Sequence, residues 1–307
     1  MSHWKSWTPC SRTLNVGGRS RLHSSALAAG LALLLSSFFL SLHVAIAAEK
    51  VTAKLFVPDA LTLPDRPVKL EARVLQDALV VRSGLGGEQL EFLVGGKRVG
   101  TAMTGGDGRG FLEYTPRMRG NLRMTVRLVE SPRVASAEGD GTLFSWERRR
   151  PILLVEAAGL IEEKTPGVQL PSLPGVAALS VSPTPAPDAA DELKRLTEFY
   201  FNVMYVTPHA GTDQADTMRQ WLRRHRFPPG PLVAVRAGPG AMSAMIDGLR
   251  ADGWDNVKAG IGRTREFAEA LAALRLDVII VGEAEPGPLP KKAQTVTNWK
   301  EVRKKRL

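Results

Sequence analysis

Apolar positions along the chain change their spacing near residue 150, and that change divides the sequence in two. Before it, short alternating or apolar runs are interrupted by Gly, Pro and Asp. Val51–Val57 and Val68–Leu75 are two such runs, with Pro64–Pro67 between them. Within Leu90–Leu128, Gly95–Gly96 sits between apolar runs as a two-residue hairpin turn does. Gly105–Gly108 makes a second turn and Pro116–Gly120 a third. Turns recurring about every 8–12 residues predict a small antiparallel β-sandwich, assigned to residues 49–148.

After residue 150 the runs are wholly apolar and are separated by helical periods. Ile152–Val155 and Asp277–Val281 suit strands buried on both faces. Phe201–Val235 is the best-defined stretch: an apolar strand Asn202–Val206, a turn at Pro208–Gly211, then a helix with Met218, Trp221 and Leu222 on one face. Thr212 or Asp213 is placed to cap that helix, and Pro228–Pro231 ends it before a second apolar strand, Leu232–Val235. Helices are also predicted over Glu192–Phe199, Met242–Asp252 and Thr264–Leu274, with a strand at Asn256–Gly260. Strands alternating with helices predict an α/β domain with a parallel Rossmann-type sheet over residues 149–307. Ligands of such sheets bind outside the carboxyl ends of the strands, which puts Thr207 at the mouth of any site. Glu162–Asp191, rich in Pro and Ser, reads as a long irregular excursion.

The first 48 residues belong to neither pattern. They hold no Asp or Glu, carry Lys5, Arg12, Arg19 and Arg21, and run apolar from Ala26 to Ala48 with small residues at Ala45 and Ala47. This composition predicts a secretory signal peptide and a periplasmic or extracellular protein. The alternative is an uncleaved membrane anchor, since the apolar run approaches the roughly 20 residues that span a bilayer. Four of the 41 basic residues lie in this segment, so the remainder carries 37 basic against 31 acidic residues, a net charge of +6. The only cysteine, Cys10, lies there too, and only His209 and His225 remain of five histidines. That inventory excludes disulfides, thiol chemistry and a histidine-rich metal site from the remainder. Asp107 in its Gly-rich turn is a lone acid and makes no calcium loop.

Basic residues cluster at Arg219, Arg223, Arg224, His225 and Arg226 around Trp221, and again at Lys300, Arg303, Lys304, Lys305 and Arg306. They form either a solvated helix face or a surface for an anionic membrane or an acidic partner. Nucleic acid is disfavoured, since the chain reads as exported and carries no reading motif.

Two resemblances add to this. Val99–Thr104, Asp107–Gly110 and Tyr114–Gly120 are similar to segments of bacterial immunoglobulin-like domains. Tyr205–Thr207 and the run from Thr217 to Leu232 resemble the haloacid dehalogenase (HAD)-like superfamily, nearest its lipin-type phosphatidate phosphatase domains and the related domain of phosphatidylinositol-transfer proteins. That family attacks phosphorus with an Asp after the first strand, protonates the leaving group with a second Asp two residues on, and holds Mg²⁺ with acids. The resemblance places Glu156 at the nucleophile position and Ala158 at the acid/base position. It places Thr207 and Lys258 on the phosphoryl oxygens, with Arg263 or Arg265 as alternatives to the lysine. Metal ligands would be Glu156, Glu283 and Glu285, and His209 stands beside the ligand site where the family often has Arg. Ala158 has no proton to give, and loss of a general acid costs about 10²–10⁴-fold in rate. Glu156 is one methylene longer than Asp, and Leu160 replaces a hydroxyl residue. The implied function is a non-catalytic HAD-like domain that binds a protein partner or an anionic, phosphate-containing ligand without a cofactor. The alternative is a Mg²⁺-dependent phosphatase using Glu156.

Overall fold

The computed structural model describes residues 49–77, 83–162, 183–208, 212–236, 238, 240–282 and 287–305. The proposed signal peptide lies outside them. Among the described residues no helix is long and apolar enough to cross a membrane.

The amino-terminal lobe is a β-sandwich. One sheet has three strands in the order β1 (Ala53–Phe56), β3 (Val68–Gln76), β6 (Arg109–Tyr114). The other has five: β2 (Ala60–Thr62), β8 (Glu138–Ser145), β7 (Gly120–Leu128), β4 (Gln89–Val94), β5 (Lys97–Met103). Side chains alternate along each strand, so Leu70, Ala72 and Val74 of β3 meet Leu90, Phe92 and Val94 of β4 and Met124 and Val126 of β7 in the interior. The Gly95–Gly96 turn joins β4 to β5 with both residues at positive φ, 58° and 77°, as a tight hairpin of right-handed twist requires. One pairing departs from the antiparallel expectation: β2 runs parallel to β8. After β1 the chain crosses from one sheet to the other at Val57–Asp59, where Pro58 has no N–H to give a ladder.

The second lobe carries a six-stranded sheet, every neighbouring pair of which is parallel. Its strands are β9 (Ile152–Glu156), β10 (Asn202–Pro208), β11 (Leu232–Val235), β12 (Val257–Gly262), β13 (Asp277–Val281) and β14 (Ala293–Val296). The spatial order β11-β10-β9-β12-β13-β14 is the doubly wound order, whose switch point lies between β9 and β12. Strand residues face opposite cores in turn. Leu153 and Val155 pack with α1 (Ala189–Phe199), α2 (Thr212–Arg224), Trp299 and Val302 on one face. Ile152 and Leu154 pack with Ile246 of α3 (Ala241–Ala251) and with Phe267 and Leu271 of α4 (Arg265–Ala273) on the other. Burial on both faces is why these strands read as unbroken apolar runs.

The two lobes share that second core. Phe144 of β8 and Trp146 pack in it beside Ile152 and Leu154. Residues Lys50–Leu307 accordingly cluster as one compact unit. A polar clamp adds to the shared core. Asp59, 6% exposed, accepts hydrogen bonds from the backbone N–H of Thr142 (3.0 Å) and of Leu232 (3.4 Å) and lies 3.4 Å from the guanidinium of Arg219. Arg219, 11% exposed, also donates to the Val57 carbonyl and, at 3.2 Å, to Asp216. Arg219 therefore leaves the solvated basic face that its spacing on α2 predicts. Burial pushes the Asp59 carboxyl up from its ordinary 3.8, with the Arg219 charge and the two backbone donors opposing the shift.

Candidate functional site

The carboxyl end of β9 is where a doubly wound sheet would receive a ligand, and there the chain supplies its own anion. Glu156 is the last residue of β9 and is 7% exposed. Its Oε2 accepts from the backbone N–H of Arg263 at 2.7 Å and of Thr264 at 2.9 Å, and its Oε1 accepts from the Thr264 hydroxyl at 2.5 Å. Those donors form the turn from β12 into α4. Thr264 is the N-cap of α4, its side chain also accepting from the Phe267 N–H. The N–H groups that open a helix favour a negative charge, and the Glu156 carboxylate meets that preference internally. Gly262 makes the approach possible: a Cβ there would lie 2.6 Å from Glu156 Oε2 and 2.5 Å from the Phe267 ring.

Residues after Glu156 form a 3₁₀ turn, Ala157–Leu160, with Leu160 fully buried and the Gly159 carbonyl accepting from the Trp299 indole at 3.1 Å. Ala158 thus stands in a turn fixed by packing and offers no group that exchanges a proton. Thr207 lies on the neighbouring strand, one residue beyond the Val206↔Glu156 pair, and is 8% exposed. Thr207 and Glu156 line one small cleft of about 110 Å³ with Arg236, Thr264 and Glu266. Two of the sequence-predicted site residues therefore meet.

Lys258 does not join them. It sits exposed in a bulge of β12 beside Val257, which pairs with Ile152 at the amino end of β9. At about 3.3 Å per residue, the four steps from Ile152 to Glu156 set the two ends of the sheet about 13 Å apart. The physical reason is the register of β12, whose carboxyl end is Gly262 and whose first residues lie at the other edge. Of the alternatives, Arg263 stands at the switch point, close to Gly282, with its Nε buried and unpartnered among the described residues. Arg265 points to Glu269, 2.6 Å away. His209, Glu283 and Glu285 lie outside the described residues. Among the described residues no three His, Cys, Asp or Glu side chains gather as metal ligands, and Glu156 is engaged by three donors. The described residues therefore do not supply the oxygen set Mg²⁺ needs.

What sequence reasoning missed was the partner of Glu156, although its signal was present. Gly262 at a strand end, then Thr264 three residues ahead of apolar Phe267, marks both a close approach and a helix start. The Asp59–Arg219 clamp had no comparable signal, because its residues are 160 positions apart.

No protein-family description and no curated protein matches the chain. Among solved structures, the chain is similar to the fibronectin(III)-like modules of CbhA from Clostridium thermocellum, at 16% identity and a TM-score of 0.24 over 31% of this chain and 47% of that one. It is similar also to the CARDB domain of a Pyrococcus furiosus protein, at 17% identity and a TM-score of 0.21 over 32% of this chain and 94% of that one. A sialyltransferase from Photobacterium damsela aligns over 75% of this chain and 42% of its own, at 8% identity and a TM-score of 0.19. At such overlap these likenesses carry no functional weight. The chain spans about half the length of the first of them.

Proposed function

We propose that this is an exported two-lobe protein whose α/β lobe is a non-catalytic HAD-like domain serving in binding or interaction. The observation that carries the reading is the state of Glu156. A nucleophile must aim a free oxygen lone pair in line at phosphorus, whereas three of the roughly four lone-pair sites of the Glu156 carboxylate are taken by the Arg263–Thr264 turn. Two residues on, Ala158 has no proton for a departing alkoxide, a loss of about 10²–10⁴-fold by itself. A scaffold that spends its helix-terminus anion site on its own carboxylate is suited to holding a shape.

The rival is a Mg²⁺-dependent phosphatase, and one observation favours it: Glu156 and Thr207 line a common cleft at the carboxyl ends of adjacent strands. p-Nitrophenyl phosphate separates the two, since its good leaving group needs little protonation. The full chain is expected to give no Mg²⁺-dependent release above background. Hydrolysis that Glu156→Gln abolishes would overturn the non-catalytic reading and make Glu156 the nucleophile.

A further inference from the structure

A second cavity lies at the opposite end of the sheet, between the lobes. It is a groove of about 700 Å³ at the amino ends of β9 and β10, walled by the start of β7, the end of β8, α1 and the Phe227–Pro229 segment. That volume falls within the range of small-molecule sites, roughly 300–1,000 Å³.

Three observations give the groove a chemistry. Ser145 lines it, is wholly buried, and its Oγ has no hydrogen-bond partner among the described residues. Buried hydroxyls are otherwise nearly always satisfied, so this one is an unmatched donor and acceptor in the groove wall. Next to it the Trp146 indole N–H is already spent on Asn121 Oδ1 at 2.8 Å, which orients the Asn121 amide and leaves its N–H₂ to donate. Finally, the walls carry more positive than negative charge. Arg149 and Arg226 line the groove, and neither guanidinium has a hydrogen bond or ion pair among the described residues. Arg226 occupies a left-handed backbone position, φ 59°, just after α2, where glycine is the unstrained choice. Free guanidinium forks select planar or tetrahedral oxyanions, carboxylate or phosphate.

We infer that the inter-lobe groove is a binding site for a small hydroxylated organic anion. Its carboxylate or phosphate is held by Arg149 and Arg226, and a hydroxyl is held by Ser145 and Asn121. The anion's charge meets two arginines that otherwise face water, and its hydroxyl satisfies the orphaned Ser145 oxygen. A neutral sugar satisfies only the second requirement and gains nothing from the two arginines. The inference deepens the binding reading, and rests on it in taking the chain to act by binding.

The test titrates the full chain with glucuronate, glucose 6-phosphate and glucose, following the Trp146 indole N–H by NMR and heats of binding by calorimetry. At least one of the two anions is expected to saturate and to move the Trp146 signal, while glucose does neither. Which anion wins distinguishes a carboxylate from a phosphate site. Arg149→Gln with Arg226→Gln is expected to weaken binding by tenfold or more, and Arg149→Lys with Arg226→Lys by less, since charge survives without the fork. Ser145→Ala is expected to weaken it about threefold, within the range of one lost hydrogen bond. Absence of saturation by either anion up to about 10 mM, a concentration at which even weak sites fill, overturns the groove assignment. So does unchanged affinity in the Arg-to-Gln variant with an unchanged melting temperature. Should that variant not fold, the Lys pair decides, because a site that does not use the guanidinium forks leaves its affinity unaltered. Turnover of glucose 6-phosphate that depends on Glu156 would instead defeat the non-catalytic reading while leaving the groove untouched.

Discussion

The two ends of the parallel sheet treat one buried oxygen-bearing side chain each in opposite ways. At the carboxyl end the Glu156 carboxylate is matched by three donors of the β12–α4 turn, beside a cleft of about 110 Å³. At the amino end the Ser145 hydroxyl is buried without a partner among the described residues, and two arginines face an open groove. Doubly wound sheets usually show the reverse, with the empty polar site at the carboxyl ends. The difference teaches that fold position alone does not decide which buried oxygen a sheet leaves unmatched. The amino-terminal lobe explains the contrast. The sandwich packs Phe144 and Trp146 against the sheet and so builds a wall at an end that a lone α/β domain leaves bare.

The strongest way to break the comparison is to part the lobes. Arg219→Ala leaves Asp59 buried without its counter-charge, and loss of one member of a buried pair costs about 3–5 kcal/mol. A fall of that size in urea unfolding at neutral pH, with one cooperative transition in the unmodified protein, shows that groove and clamp belong to one folding unit. Two separate transitions in the unmodified protein would break the comparison. The pH dependence has a definite sign. The folded Asp59 carboxyl titrates above its ordinary 3.8, so the folded state binds the proton more tightly than the unfolded chain. Its contribution is greatest below 3.8 and declines as pH rises through the raised value. Removing Arg219 takes away a charge that lowers that value. The deficit of Arg219→Ala is therefore expected to be largest near neutrality and to shrink towards acid pH.

A smaller effect sharpens the carboxyl end. Glu156→Ala strands the Arg263 and Thr264 N–H groups, and unpaired buried donors of a charged acceptor cost about 3 kcal/mol together. Glu156→Gln keeps an acceptor and is expected to lose about half as much, measured by denaturant midpoint. A Glu156→Ala protein as stable as the parent would mean that the carboxylate is not structural, and would reopen the case for catalysis.

The smallest effect belongs to the amino end. Ser145→Ala deletes a hydroxyl that is buried and unpaired among the described residues, so stability is expected to stay level or to rise by up to about 1 kcal/mol. Set beside the loss from Glu156→Ala, that near-zero result distinguishes a group kept for binding from one kept for the fold. A clear loss at Ser145 would show that its oxygen has a partner in solution.

The sequence by itself determined the elements and their class. Val203, Met204, Tyr205 and Val206 are buried whichever face they point to, so their strand declares itself as an unbroken apolar run. The turn glycines at Gly95 and Gly96 declare theirs because residues without a Cβ best suit two successive positive φ values. Helix α4 is legible from Thr264 onward for the same local reason, a hydroxyl that caps its own turn. Strands β2, β8 and β14 are less so, being short or carrying glycine and polar residues whose pairing depends on distant neighbours. What only the tertiary structure decided are the relations between groups far apart in sequence. Glu156 meets Thr264 across 108 positions, Arg219 meets Asp59 across 160, and Lys258 falls at the opposite end of the strands from Glu156. Period and turn chemistry are properties of a few consecutive residues, and a sequence states them directly. Strand order, register and the meeting of two lobes depend on which buried surfaces and polar groups satisfy one another in three dimensions. That choice left Glu156 satisfied and Ser145 wanting.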